Sequence, residues 1–136
     1  ETLEESAAEF DRAIDMIHEA GSKACIALKP DMDVDVLKPY IGKLDMVLAM
    51  SVYPGFSGQK YIEGTEDKVA RVVEMARAAG VSPLIEVDGG LGANDPTRAV
   101  AASGCDVFVA GSAVFGAEDR AAAIAAMTKV AQEAQA

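Results

Sequence analysis

The amino-acid sequence predicts an α/β protein with a parallel sheet covered on its faces, and three observations carry that reading. Segments with helical spacing alternate with short apolar runs along all 136 residues. The short runs are apolar along most of their length rather than alternating, as in strands packed on both sides. Glycines and capping residues punctuate the junctions between the two kinds of segment.

Residues 2–20 set Leu3, Ala7, Phe10, Ile14 and Ile17 on one helical face, with Thr2 and Glu5 as a capping box and Gly21 as the stop. KACIAL (23–28), with a Lys-Pro turn behind it, reads as a strand. Asp33 to Ile41 reads as a short helix interrupted by Pro39. LDMVLAM (44–50) is a near-continuous apolar strand. Thr65 to Ala79 is a helix with Val69, Val72, Val73, Ala76 and Ala79 inward and Gly80 at its end. PLIEVD (83–88) is the third strand. Asp95 as a cap and Pro96 in the first turn open a helix that Gly104 closes. CDVFVAG (105–111) is the fourth strand, Ser112 to Phe115 a short apolar helix, and Glu118 to Ala134 an Ala-rich final helix. The order is therefore one helix followed by four βα units. A doubly wound open sheet and a (β/α)8 barrel both fit; a whole barrel takes about 250 residues, so these units make about half of one.

Composition narrows the partners. With a net charge of -10 the chain lacks the basic patch that a nucleic acid or an anionic membrane surface requires. No apolar run approaches the roughly 20 residues of a membrane helix, and no signal peptide is visible, so a cytoplasmic protein is expected. The two cysteines, Cys25 and Cys105, sit in apolar runs and read as reduced, buried thiols; no Cys/His cluster suggests structural zinc. The single histidine, His18, lies off the apolar stripe near the end of its helix and reads as solvated. The chain opens at Glu1 directly on helix-like sequence, as a processed or truncated product would.

Chemistry concentrates in three segments that follow three successive strands: SVYPGFSGQ (51–59), DGG (88–90) and GSAVF (111–115). In a parallel sheet such loops emerge at one edge and converge. Their glycines let main-chain N–H groups approach an anion, so a small phosphorylated ligand suits even an acidic chain. Asp88 ends an otherwise apolar strand, where a carboxylate needs a metal, a substrate hydroxyl or hydrogen bonds. Glu86 shares its side of the strand, one step deeper. Met50 lies at the mouth end of its own strand; the other methionines read as core.

These segments together resemble a known family. LDMVLAMSVYPGFSGQKYI resembles the sixth strand and following loop of ribulose-phosphate 3-epimerases, usually MSVNPGFGGQ. IEVDGG is similar to their seventh strand, FVAGSAVF to their eighth, and CIALKP to their fifth. The likeness implies a single partial domain over residues 1–136: the carboxy-terminal half of a (β/α)8 barrel, about strands 5–8 with their helices, starting at the helix after strand four. It implies interconversion of D-ribulose 5-phosphate and D-xylulose 5-phosphate in the pentose phosphate pathway, by proton abstraction and return at C3 through an enediolate. A related ketose phosphate, such as a hexulose 6-phosphate, is the alternative substrate, and a non-catalytic sugar-phosphate-binding half-barrel the alternative role.

Carried over by position, Gly55, Phe56, Ser57 and Gly58 would contact substrate. Gly89, Gly90, Gly111 and Ser112 would bind its phosphate, and Met50 would line the site. Asp88 would be both a catalytic acid/base and a ligand to one divalent metal ion (zinc, iron, manganese or cobalt). The remaining metal ligands and the second carboxylate would belong to the amino-terminal half, without which the chain is expected to be inactive. The whole protein is expected to form a homo-oligomer. The sequence departs from the family at Tyr53, where Asn is usual, at Ser57, where Gly is usual, and at Lys29, which replaces an Asn.

Overall fold

A computed structural model describes residues 3–136 of the chain, with side chains described from Ser6 onward. The capping box of Thr2 with Glu5 and the inward placement of Leu3 lie outside the described residues. Helix α1 spans Leu3–Glu19 and leads into strand β1, Cys25–Leu28. Strand β2 (Met46–Met50), helix α2 (Thr65–Ala78), strand β3 (Leu84–Asp88) and helix α3 (Asp95–Ala102) follow. The chain ends with strand β4 (Val107–Val109), the short helix α4 (Ser112–Phe115) and helix α5 (Arg120–Gln135).

The strands form one parallel sheet in the order β1-β2-β3-β4. That order separates the two architectures left open by the sequence. A doubly wound sheet reverses its strand order at a switch point. Here the order runs straight through, and right-handed crossovers then place every helix on the same side. The fold is half of a (β/α)8 barrel.

The register explains the burial pattern. Val47, Ala49, Ile85 and Val87 alternate toward the helices and are buried against Val69, Val72 and Ala76 of α2, Val100 of α3 and Met127 of α5. Their neighbours Met46, Leu48, Met50, Leu84, Glu86 and Asp88 occupy the opposite face. No helix among the described residues covers that face, and Leu84 is 46% exposed. The expectation of a sheet covered on both sides is therefore corrected: only the helical side is packed. In a closed barrel the other side faces the interior, so the apolar strands suit a barrel lining as well as a double cover.

Three further expectations change. Asp33 to Ile41 is not one helix but two 3-10 turns, Val34–Leu37 and Ile41–Lys43, because Pro39 between them lacks the N–H a continuous helix needs. Asp33 caps the first, accepting from Asp35 N at 2.8 Å. On α1 the inward stripe is only half inward: Ile14 is buried and Ala7 packs against the core, but Phe10 is 54% and Ile17 37% exposed. Ile14 packs into the core, whereas Phe10 reaches only the Tyr40 ring, at 5.9 Å between centroids. On α2 the last predicted inward residue, Ala79, is exposed because the helix has already ended. There Gly80 turns left-handed and Val81 N donates back to Ala76 O, a Schellman stop.

Acidic side chains close the amino-terminal edge of the sheet. Asp45, just ahead of β2, accepts from Ala24 N at 2.7 Å, and Asp106, just ahead of β4, accepts from Ile85 N at 2.8 Å. His18 is more than a solvated surface residue: half-exposed, its Nε2 lies 2.8 Å from Asp45 Oδ2 and ties α1 to β2. The Ala24 amide, helped by His18, holds the Asp45 carboxyl below its usual range.

Both cysteines are free, but only Cys105 is buried; Cys25 is exposed because it lies on the bare face of the edge strand, opposite Met46. Burial pushes the Cys105 thiol up to about 12, and its Sγ lies 3.2 Å from Val107 O. Iodoacetamide applied to the folded 136-residue chain at mild alkaline pH is therefore expected to modify Cys25 and spare Cys105 until denaturant is added. Mass spectrometry of the tryptic peptides reads the order.

Candidate active site

The carboxyl ends of three strands meet in register. Met50 pairs with Asp88, and Asp88 with Val109, so these residues form a row across the mouth on the uncovered face. Because the strands are parallel, the loops that follow them leave at the same end. They enclose a cavity of about 660 Å3. Gly55, Phe56, Ser57 and Gly58 line it from the first loop. Asp88, Gly89 and Gly90 line it from the second, and Gly111 and Ser112 from the third, with Met50 on its floor. Every residue that the resemblance assigned to the site is thus brought to one place, whereas Glu86 lies outside the cavity lining. Phe56 stands at the tip of its loop, 74% exposed.

The turn after β3 cannot be built without its two glycines. Gly89 has φ +132, and a Cβ there would lie 2.6 Å from a Val52 methyl carbon and 2.9 Å from Ser51 Oγ. Gly90 has φ +67, and its Cβ would lie 2.5 Å from the Tyr61 main-chain nitrogen. Side chains are excluded by conformation and by space alike. Gly111 differs: its φ is -97, and a Cβ there meets nothing within 4 Å. It caps α4, where Val114 N and Phe115 N donate to Gly111 O at 3.0 and 2.9 Å.

Several residues that hold the site were not singled out from the sequence. Ser51 follows Met50, is fully buried, and donates from Oγ to Gly89 O at 2.7 Å. Gln59 folds the 51–59 loop onto itself, its Nε2 donating to Tyr53 O at 2.7 Å and Phe56 O at 3.0 Å. Asn94, not Asp95, is the cap of α3: its Oδ1 accepts from Thr97 N at 3.1 Å while its Nδ2 donates to Gly90 O at 3.0 Å. Pro96 keeps its place in the first turn. Tyr61 donates to Glu66 Oε2 at 2.5 Å and so fastens the end of the loop to α2. A signal for Ser51 was present, since it is a polar residue at the end of an apolar strand, as Asp88 is. Gln59 and Asn94 act through main-chain partners, and Tyr61 through the Glu66 carboxylate, pairings that no pattern of residue types displays.

That hydrogen bond from Tyr61 holds the Glu66 carboxyl below its ordinary value of 4.5. Burial, reinforced by Glu66, raises the Tyr61 phenol. Among the described residues no three His, Cys, Asp or Glu side chains group as a metal centre would require. Asp88 is the one carboxylate lining the cavity among the described residues, so a divalent ion there would need further ligands from outside them.

The Ribulose-phosphate 3 epimerase family model matches residues 3–115. The chain belongs to that family. Among its relatives is ribulose-phosphate 3-epimerase 2 of Cupriavidus necator, 44% identical over 119 residues, covering 85% of this chain and 49% of that protein. The ribulose-phosphate 3-epimerase of Serratia marcescens is 42% identical, covering 85% of this chain and 54% of that protein. The chloroplastic ribulose-5-phosphate-3-epimerase of Arabidopsis thaliana is 39% identical, covering 89% and 43%. The chain therefore spans about half the length of the curated relatives it matches. A solved structure, thiamine phosphate pyrophosphorylase from Pyrococcus furiosus, is similar in fold with a TM-score of 0.50 and 23% identity, covering 90% of this chain and 66% of that one. No helix of the described residues is long and apolar enough to cross a membrane.

Two outcomes follow from the local geometry. Gly90→Ala is expected to cost at least about 2 kcal/mol in stability, from left-handed strain plus the clash with Tyr61, whereas Gly111→Ala costs less than about 1 kcal/mol. Chemical denaturation of the two variants checks the contrast. The lowered Glu66 carboxyl contributes stability that is fully present above its ordinary value of 4.5 and is lost as pH falls through its lower folded-state value. Tyr61→Phe removes the main cause, so its stability is expected to fall less steeply than wild type below that pH, as urea titrations at stepped pH would show.

Proposed function

We propose that this chain is the carboxy-terminal half of a ribulose-phosphate 3-epimerase. It supplies the phosphate site and one of two acid/base carboxylates for interconverting D-ribulose 5-phosphate and D-xylulose 5-phosphate. One observation carries the reading: Asp88 sits in the same cavity wall as the main chain of Gly89, Gly90, Gly111 and Ser112. A carboxylate beside a ring of amides suits a phosphorylated sugar whose carbon acid must be deprotonated. Membership of the family and the names of its relatives support the same substrate class.

On this reading the amides of Gly89, Gly90, Gly111 and Ser112 hold the phosphate, needing no cationic side chain in a chain of net charge -10. Gly55, Phe56, Ser57 and Gly58 close over the sugar and exclude water. Met50 packs beneath it and gives the developing enediolate an apolar floor. Asp88 takes or returns the C3 proton on one face. When the proton leaves, the C–H electron pair moves into the C2–C3 bond and the C2 carbonyl oxygen becomes an enediolate oxygen. Inversion needs a second acid/base on the opposite face, and the matching carboxylate belongs to the amino-terminal half. A divalent ion, as the family implies, would stabilise charge on the substrate oxygens; Asp88 would be this chain's ligand to it. The whole barrel is a cytoplasmic homo-oligomer of the pentose phosphate pathway.

The test is made in the protein that carries both halves. Asp88→Asn is expected to lower kcat by about 10^2- to 10^4-fold while leaving the fold intact. Solvent deuterium incorporation at C3 should fall with it, and the 136-residue chain alone should show no turnover in a coupled assay. Wild-type exchange in the Asp88→Asn variant, or robust turnover by this chain by itself, would overturn the proposal.

A further inference from the structure

Ser51 holds more of the site together than its small side chain suggests. It continues β2 by one residue past Met50, and the alternation that puts Met50 on the open face puts Ser51 on the helical side with Val47 and Ala49. It is fully buried, so its hydroxyl has no water to satisfy it and must find a protein acceptor. Three hydrogen bonds tie the residue down. Its N–H donates to Asp88 O at 2.9 Å, its carbonyl accepts from Ile62 N at 2.8 Å, and its Oγ donates to Gly89 O at 2.7 Å.

The last of these bonds has a directional consequence. The peptide joining Gly89 to Gly90 is planar and trans, so the Gly89 carbonyl and the Gly90 N–H point in opposite directions. Drawing the carbonyl toward Ser51, on the helical side, turns the N–H to the other side, over the mouth where Asp88 and Met50 lie. Two glycines in succession, both at positive φ, make this peptide the least restrained unit of the turn, so an external anchor decides its orientation. Asn94 Nδ2 holds the next carbonyl, that of Gly90, at 3.0 Å. Packing keeps the anchor in place, since a Cβ on Gly89 would come within 2.9 Å of Ser51 Oγ.

We infer that Ser51 is a positioning residue that aims the Gly90 N–H at the substrate's phosphate by holding the Gly89 carbonyl on the opposite side of the turn. The inference rests on the phosphate role given above to the 89–90 turn. It goes further by assigning the orientation of one amide to one buried hydroxyl. Ser51 touches no reacting atom, so its loss should weaken phosphate binding and spare the proton transfer. Ser51→Ala is a narrow probe because it keeps both main-chain bonds, including the one to Asp88 O, and deletes only the bond to Gly89 O.

The experiment uses the whole two-half protein with inorganic phosphate as the probe. In Ser51→Ala, KM for D-ribulose 5-phosphate and the inhibition constant for inorganic phosphate should rise together by about tenfold, with kcat within about twofold and the pH profile unmoved. Ser51→Thr, which keeps the hydroxyl, should restore both constants. Unchanged phosphate inhibition in Ser51→Ala, or a fall in kcat with KM intact, overturns the inference. A measurement on the unmutated protein covers the case in which Ser51→Ala does not fold. On titration of 15N-labelled protein with phosphate, the Gly90 amide resonance should move with those of Gly111 and Ser112. If Gly111 and Ser112 move and Gly90 does not, the role of Ser51 falls while the phosphate site stands. If none of the three moves, the phosphate site itself falls, and this inference with it.

Discussion

The site depends first on the parallel register that aligns the carboxyl ends of β2, β3 and β4. Met50, Asp88 and Val109 stand side by side because each strand is paired in step with the next. The loops that follow have no choice but to leave from the same edge. Hydrogen-bonded ladders are stiff compared with loops, so the relative positions of Asp88 and the three glycine turns are set by the sheet rather than by the turns themselves. What remains for side chains to do is orientation over short distances. Ser51, Gln59 and Asn94 do that by binding main-chain carbonyls rather than one another.

That arrangement demands glycine at the turn and leaves one face of the sheet bare. Gly89 and Gly90 adopt left-handed or extended positive-φ conformations in contact with Val52, Ser51 and Tyr61, where any side chain would collide. The opposite face of the sheet, with Leu48, Met50, Leu84, Glu86 and Asp88, has no helix over it among the described residues. A bare apolar sheet face with edge strands β1 and β4 each paired on one side is the surface a second set of strands would complete. Strands added at those edges would turn the face that bears Asp88 toward a barrel interior, so on the proposed reading closing the barrel and completing the site would be one event.

An acidic chain and the proposed anionic substrate are compatible because the proposed phosphate contacts are main-chain dipoles. Net charge acts over the whole surface and is screened within about 8–10 Å at physiological salt. Amides at the mouth act at contact distance. The acidic residues near the amino-terminal edge, Asp45 and Asp106, are occupied with the backbone N–H groups of Ala24 and Ile85. They stand at the end of the sheet remote from the glycine turns.

Periodicity and turn residues were sufficient to read the order of the elements and their type, except at Asp33 to Ile41, where two 3-10 turns replace the expected helix; strands β1, β2 and β4 are shorter than their apolar runs. Local hydrogen bonding, the lack of an N–H at Pro39 and the need for a helix stop at Gly80 all act within a few residues. The chemistry-bearing segments were legible for the same reason: glycines after apolar strands and a lone carboxylate at a strand end are visible in a line of text. Sequence pattern did not decide between an open doubly wound sheet and half a barrel, because both repeat the same βα unit; strand order decided it. The exposure of Phe10, Ile17 and Cys25 was decided by tertiary structure as well, since an apolar residue is buried only if something arrives to cover it. So was the office of Ser51, whose partner Gly89 is 38 residues away along the chain. Composition and spacing act along the chain, whereas burial and hydrogen-bond partnership depend on which distant segment folding brings alongside.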